Sequence, residues 1–166
     1  MKEKLSHPFP TLFSEDSKIL ILGSFPSVKS RENNFYYGHP QNRFWKVMSA
    51  VLNEKIPENT EEKKLMLLNH KIALWDCIAS CEIKGSSDAS IDKVIPNDIG
   101  IILNTANISA IFCNGKKAYE MFQRHVQATI HCEVVCLPST SPANATWKLS
   151  KLIDCYAEHI LPYLKN

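Results

Sequence analysis

The sequence has no uninterrupted apolar run of about 18 residues, so we expect no membrane-spanning helix. Its first residues, Met1 to Lys4, lack the apolar stretch that a secretory signal needs, and we therefore expect a cytoplasmic protein. Glycine is scarce, with five residues among 166, and the formal net charge is only +2. A charge this small permits a nucleic-acid partner without indicating one.

The common catalytic and cofactor motifs are also absent from the sequence. It contains no G-x-S-x-G nucleophile elbow, no G-x-x-x-x-G-K-[ST] phosphate loop and no G-x-G-x-x-G dinucleotide fingerprint. It has no H-E-x-x-H or H-x-E…C-x-x-C pattern either, so zinc-activated water has no support. The polar residues that remain orient water and bind anions more readily than they form a covalent intermediate.

Cysteine is present, but its spacing does not favour a metal centre. Four thiolates in two pairs can bind zinc or an iron–sulfur cluster, so a metal site stays an alternative. Two of the cysteines alternate along a predicted strand, however, and free cysteine is a common core residue. We therefore expect reduced, buried thiols and no metal. The six are Cys77, Cys81, Cys113, Cys132, Cys136 and Cys155.

Short apolar runs alternate with helical patterns along most of the chain. This alternation predicts an α/β fold, a three-layer α/β/α sandwich with a central parallel sheet of about four strands. The predicted strands are 18–22, 72–75, 108–113 and 133–137. The predicted helices begin at 43, 59 or 60, 96, 116 and 145. We expect a single domain over 1–166, with a polar N-terminal arm over 1–17 and a loop over 79–93.

Two polar loops follow predicted strands, at 23–42 and 137–144. Ligands of parallel sheets bind beyond the carboxyl ends of the strands, so these loops are the candidate site. Ser139 and Ser141 suit a phosphate, and a helix cap is the alternative for them. Phe44 and Trp45 can stack on a base, but their helical spacing is more typical of core residues.

Five segments in order resemble one known family. They are G-S-F-P-S (23–27), Y-Y-G-H-P-Q-N-R-F-W (36–45), L-W-D-C (74–77), N-G (114–115) and L-P-S-T-S-P-A-N (137–144). The chain resembles the uracil-DNA glycosylase superfamily and, within it, the hypoxanthine or deoxyinosine branch. The resemblance implies removal of a deaminated base from double-stranded DNA after base flipping, in base excision repair. It implies no metal or organic cofactor, and we expect a monomer that is nucleoid-associated if bacterial.

The resemblance also implies residue roles. Many relatives position water with a polar residue after the first glycine, where this chain has Ser24 and Phe25; the catalytic role then passes to Asn42. A helix cap is the alternative for Asn42. The implied base pocket is Gly23, Ser24, Phe25, Tyr37, His39, Phe44, Trp75, Asp76 and Asn114. The implied phosphate contacts and wedge are Ser27, Ser139, Ser141, Pro142, Ala143 and Asn144.

Two other functions stay open from the sequence. A uracil or G·T/G·U mismatch glycosylase shares these motifs, because the shape of the pocket decides the base. A non-catalytic module that binds damaged DNA or a nucleotide is a different class, and the modest charge does not exclude it.

Overall fold

A computed structural model describes residues 2–127 and 130–165 of the chain. Its centre is a sheet of four parallel strands, which confirms the predicted α/β class. The strands are β2 (Ile19–Gly23), β3 (Ile72–Asp76), β6 (Ala110–Asn114) and β7 (Glu133–Leu137). Their order across the sheet is β3-β2-β6-β7.

Burial explains why these short runs form the sheet. All five residues of β2 and of β3 are buried, as expected for strands covered on both faces. The register pairs Gly23 with Asp76 and, on the other side of β2, pairs Leu22 with Cys113. The carboxyl ends of the strands therefore lie level at one edge of the sheet, and the two polar loops begin there.

Helices flank the sheet. They are α1 (Val28–Glu32), α2 (Phe44–Val51), α3 (Thr60–Asn69), α4 (Gly100–Leu103), α5 (Lys116–His125) and α6 (Leu149–Leu164). Asn59 caps α3 as predicted, because its side chain accepts a hydrogen bond from the Glu62 N–H. Two boundaries were predicted too widely: α4 is a single turn, and α6 begins at 149 instead of 145.

A second sheet corrects the prediction of a loop over 79–93. It consists of β1 (Glu3–Ser6), β4 (Ile78–Ile83) and β5 (Asp92–Pro96), antiparallel and in the order β1-β4-β5. The N-terminal arm therefore packs against the rest of the chain. Leu12 in that arm exchanges backbone hydrogen bonds with Leu74 at 3.0 and 2.8 Å, and Phe9 is buried.

The cysteines differ partly from expectation. Cys77, Cys81 and Cys113 are buried free thiols, but Cys136 is exposed on the edge strand β7. Among the described residues, no group of three or more His, Cys, Asp or Glu side chains is arranged to hold a metal ion. No helix in the described part of the chain has the length and apolar character to cross a bilayer.

Candidate active site

A cavity of about 290 Å³ opens at the carboxyl ends of the parallel strands. The structure brings most of the predicted site residues together around it. From the first loop and the strand ends come Gly23, Ser24, Phe25, Ser27, Tyr37, His39, Asn42, Asp76 and Asn114. From the second loop come Ser139, Ser141, Pro142 and Ala143.

Three predicted site residues lie outside the cavity wall. Phe44 is fully buried in α2 and supports the site only from behind, with its ring stacked 4.1 Å from that of Tyr37. Trp75 is a buried core residue of β3. Asn144 lines a neighbouring groove and donates a hydrogen bond from Nδ2 to the Ser139 carbonyl at 2.9 Å. The helical spacing, which indicated a core position for Phe44, therefore predicted its place better than the resemblance, which implied a place in the pocket.

Asn42 is held by hydrogen bonds from two sides. Its Oδ1 accepts from the Phe44 N–H and from the Thr140 hydroxyl, both at 2.9 Å. The Thr140 hydroxyl in turn accepts from Asn114 Nδ2 at 3.0 Å, and Asn114 Oδ1 accepts from the Thr140 N–H at 3.0 Å. The Phe44 N–H is a donor, so it fixes which end of the Asn42 amide is the oxygen. Both lone pairs of that oxygen are used, and Nδ2 has no hydrogen-bond partner among the described residues.

Arg43 joins the two loops that form the cavity. Its guanidinium donates to the carbonyl oxygens of Ser141 and Asn144, at 3.1 and 3.0 Å, and to that of Trp147. Its backbone N–H donates to the Thr140 carbonyl at 3.1 Å. These bonds hold residues 140–147 as turns, and this explains why α6 starts later than its sequence pattern suggests.

The floor of the cavity carries a buried carboxylate. Asp76 is 4% exposed and is the last residue of β3. His7 Nε2 donates to Asp76 Oδ2 at 2.7 Å. Asp76 Oδ1 has no hydrogen-bond partner within residues 2–127 and 130–165, and it faces Gly23. A carboxylate oxygen that is free on a cavity wall can accept a hydrogen bond from a ligand N–H.

The Tyr37 hydroxyl lies beside this carboxylate. It is buried and forms no hydrogen bond of ordinary geometry with the described residues, although the Asn114 side chain lies near enough to lower its pKa. Burial, with the nearby Asp76 charge, raises the pKa of the phenol well above its ordinary value, so the hydroxyl keeps its proton. The backbone of Tyr37 has φ +53°, an uncommon conformation for a bulky residue that often marks a functional site.

Gly23 leaves the space in which these groups meet. A Cβ at this position would lie 2.4 Å from Asp76 Oδ1 and 2.9 Å from the Tyr37 hydroxyl oxygen. Both distances are too short for a real contact, so even alanine would displace these groups. The absence of a side chain therefore allows the carboxylate and the phenol oxygen to lie side by side against the Gly23 backbone.

The serines of the site hold local turns. Ser27 caps α1 by accepting from the Ser30 N–H at 3.1 Å. Ser139 accepts from the Ser141 N–H at 3.1 Å, and Ser141 accepts from the Ala143 N–H at 3.2 Å. The Ser139 and Ser141 hydroxyls each keep a proton to donate outward, which is the capacity that a phosphate contact requires.

The rim of the cavity is polar and has charges of both signs. Ser24 donates to Asp88 at 3.4 Å, and His39 Nδ1 accepts from the Gln41 N–H at 3.0 Å. A groove continues from this rim past Ser139 to Lys116, Lys117 and Trp147. The lysines begin α5, and Asp88 and Glu120 also line this groove, so charges of both signs lie along the path that leads into the cavity.

Known proteins share both the sequence and this architecture. The model of the Uracil DNA glycosylase superfamily matches residues 10–165. The chain belongs to that superfamily. A protein named hypoxanthine DNA glycosylase from Methanosarcina acetivorans is 37% identical over 140 residues, which cover 82% of this chain and 86% of the relative. Its namesake from Methanosarcina barkeri is 33% identical over 138 residues, with the same coverage.

A solved structure shows the same fold. The solution NMR structure of a candidate uracil DNA glycosylase from Methanosarcina acetivorans superposes with a TM-score of 0.79 and is 29% identical. The match covers 94% of this chain and 98% of the other. The likeness therefore extends over the small antiparallel sheet as well as the central one.

Sequence reasoning missed several side chains of the site, among them Asp88 on the cavity wall, Thr140 and His7. Thr140 is fully buried and connects Asn42 to Asn114, although it sits between two serines that were selected. Its position in the L-P-S-T-S-P-A-N segment, between Ser139 and Ser141, was a signal from which it could have been selected as a site residue. His7 lies in an arm whose sequence shows no periodicity, and only the pairing of β1 with β4 brings it to Asp76.

Proposed function

We propose that this superfamily member is a monofunctional DNA glycosylase that removes hypoxanthine from deoxyinosine in DNA. The two curated relatives carry that activity in their names and cover most of this chain. The observation that supports it most strongly is the buried Asp76 carboxylate, with one free oxygen on the cavity wall. A cavity of about 290 Å³ suits one flipped base.

The carboxylate selects deaminated bases through a hydrogen-bond pattern. Hypoxanthine carries an N1–H beside its C6 carbonyl, whereas adenine presents an N1 lone pair beside an amino group. Asp76 accepts the N1–H of hypoxanthine and repels the lone pair of adenine, while the protonated Tyr37 hydroxyl donates to the carbonyl. A site built for such a pattern rejects the wrong base strongly, because its buried groups would otherwise stay unpaired.

Uracil presents the same N–H beside a carbonyl. Because uracil offers the same hydrogen-bonding groups, uracil or a G·T/G·U mismatch is the second candidate substrate. The names of the curated relatives favour hypoxanthine.

Hydrolysis needs an oriented water more than a strong base. The bond between C1′ and N9 breaks with its electron pair passing to the base, and the sugar becomes oxocarbenium-like. Water then bonds to C1′ and loses a proton to solvent, while the departing base gains one. We propose that Asn42 holds this water. Since Oδ1 accepts from Phe44 and Thr140, Nδ2 is the group that remains to donate to the water oxygen.

The second loop is the proposed DNA contact. The Ser139 and Ser141 hydroxyls donate to phosphate oxygens, and Pro142 and Ala143, both exposed, fill the gap left by the flipped base. Lys116 and Lys117 neutralise phosphates along the adjoining groove. We further propose that residues 1–166 work as one domain and as a monomer in the cytoplasm. In support of a single domain, both sheets share one hydrophobic core.

An excision assay on three duplexes tests this function. Each duplex carries a single inosine, uracil or G·T mismatch, and alkali cleaves the strand wherever a base has been removed. We expect cleavage at inosine, no cleavage at adenine in the same context, and hypoxanthine among the released products.

Two outcomes would favour another candidate. Cleavage only at uracil or at the mismatched T would replace hypoxanthine with the second candidate. Retention of an inosine duplex in a gel shift without any cleavage would favour a non-catalytic binding module. A variant with Asp76→Asn is the matched control, because it keeps the size of the side chain but loses the charge.

A further inference from the structure

We propose that His7 is a positioning residue that orients the Asp76 carboxylate for base recognition. The N-terminal arm would then form part of the base pocket. This inference rests on the proposed function and adds a residue outside the five motifs that carry the family resemblance.

The contact between the two side chains is short and buried. His7 Nε2 donates to Asp76 Oδ2 at 2.7 Å, and each side chain is 5% exposed. A hydrogen bond to a charged acceptor in a site with little water is stronger than one between neutral groups. His7 thereby occupies one carboxylate oxygen and leaves Oδ1 for the cavity.

The imidazole ring is itself held in place. Its Nδ1 lies 2.9 Å from the Phe9 carbonyl oxygen, and the backbone N–H of His7 donates to the Ala79 carbonyl at 2.7 Å. The rings of Phe9, Phe25 and Tyr36 surround it, with centroids 5.5, 6.1 and 5.7 Å away. A ring fixed on these sides gives the carboxylate a single orientation.

Recognition depends on that orientation. Asp76 and Tyr37 both line the cavity, and Asp76 Oδ1 and the Tyr37 hydroxyl oxygen lie close together against Gly23. A base in the cavity therefore meets Oδ1 only while the carboxylate keeps this orientation. A carboxylate released from His7 can rotate about its Cβ–Cγ bond and turn its oxygens away from the base. Discrimination between hypoxanthine and adenine would then weaken together with the rate.

Two variants of His7 distinguish its hydrogen bond to Asp76 from the space that its ring fills. His7→Gln keeps an N–H donor near the position of Nε2, whereas His7→Leu fills similar space without a donor. We expect His7→Leu to lower the single-turnover rate on inosine duplex by about 10- to 100-fold, the usual effect of losing a hydrogen bond to a charged group. We expect His7→Gln to restore most of that rate. Both variants should bind a duplex with an abasic-site analogue like wild type.

A double-mutant cycle tests whether His7 acts through Asp76. If it does, adding His7→Leu to Asp76→Asn lowers the rate little further. Equal rates for wild type and His7→Leu, or fully additive losses in the cycle, would overturn the proposal. If His7→Leu fails to fold, His7→Ala, which also lacks a donor, replaces it in the cycle and in the comparison with His7→Gln.

Free hypoxanthine separates this proposal from the proposed function, because product binding needs no turnover. An NMR titration should show weaker binding of hypoxanthine to His7→Leu than to wild type, even if no duplex is cleaved. Equal binding by the two proteins would count against His7. A wild type that binds hypoxanthine but releases none from DNA would count against the glycosylase activity alone.

Discussion

Replacing Thr140 with valine tests the network that holds Asn42. The change keeps the shape of a fully buried side chain but removes its hydroxyl. Two hydrogen bonds are lost, one to Asn42 Oδ1 at 2.9 Å and one from Asn114 Nδ2 at 3.0 Å. At about 1 kcal/mol net for each bond, the free energy of unfolding should fall by about 2 kcal/mol.

The same change should slow catalysis. Asn42 keeps its bond from the Phe44 N–H but loses its second anchor, so its amide can turn away from the water. A small misplacement of a catalytic group costs up to about 100-fold in rate, and we expect a loss of at least about tenfold in single-turnover excision. Urea unfolding and quenched excision assays on inosine duplex measure the two effects.

Thr140→Ser is the matched control for this experiment. It keeps the hydroxyl and removes only a methyl group, so it should lose about 1 kcal/mol of stability and little activity. If the valine variant excises hypoxanthine as fast as wild type, the network does not position Asn42. If serine and valine lose equal activity, packing rather than hydrogen bonding explains the effect.

Three further predictions concern the pocket, the DNA path and the core. Gly23→Ala should reduce excision at least about 100-fold with the fold retained, because its Cβ would lie 2.4 Å from Asp76 Oδ1; undiminished excision would show that no base contacts this spot. Lys117→Ala should reduce the slope of log Kd against log salt by about 1, and an unchanged slope would remove α5 from the DNA path. Burial raises the pKa of the Cys113 thiol to about 12 in the folded protein, compared with about 9 in the unfolded chain. The contribution of the protonated thiol to folding stability is therefore complete below about pH 9 and is lost as the pH rises toward 12. Between about pH 9 and 11, Cys113→Ala should therefore lose about 2 kcal/mol less unfolding free energy than wild type, and parallel losses would refute this assignment.

The parallel sheet was predictable because each of its central strands is a short apolar run that can be recognised in the sequence without knowing its partner. Residues 19–22 and 72–75 are apolar on both faces, and short runs of this kind between polar segments are typical of buried parallel strands. The spacing of Phe44, Val47, Met48 and Val51 likewise fixed one face of α2, and all four are buried.

The antiparallel sheet was not predictable in the same way. Its strands are polar on one side, and β1 pairs with β4 across more than seventy residues of sequence, from Glu3 to Ile83. A local pattern contains no information about such a partner. For the same reason the contact between His7 and Asp76 could not be found from the sequence.

The site was predictable in its motifs and less so in its geometry. The strand-end rule placed Gly23, Asp76 and Asn114 at one edge, and the structure brings them to one cavity. Trp75 was predicted in the pocket from the L-W-D-C segment of the resemblance, but successive residues of a strand point to opposite faces, and Trp75 is a buried core residue. The role of Asn42 as a water-holding residue stays a prediction.

The rate of hypoxanthine release by Asn42 variants is the most direct test of this account. Single-turnover excision from an inosine duplex is compared for wild type, Asn42→Ala and Asn42→Asp. Because Asn42 Nδ2 is proposed to hold the water, and neither variant has this donor, we expect both to lose at least about 100-fold in rate. Both should still bind an abasic-site analogue. Full activity of Asn42→Ala, or an Asn42→Asp variant as fast as wild type, would contradict it.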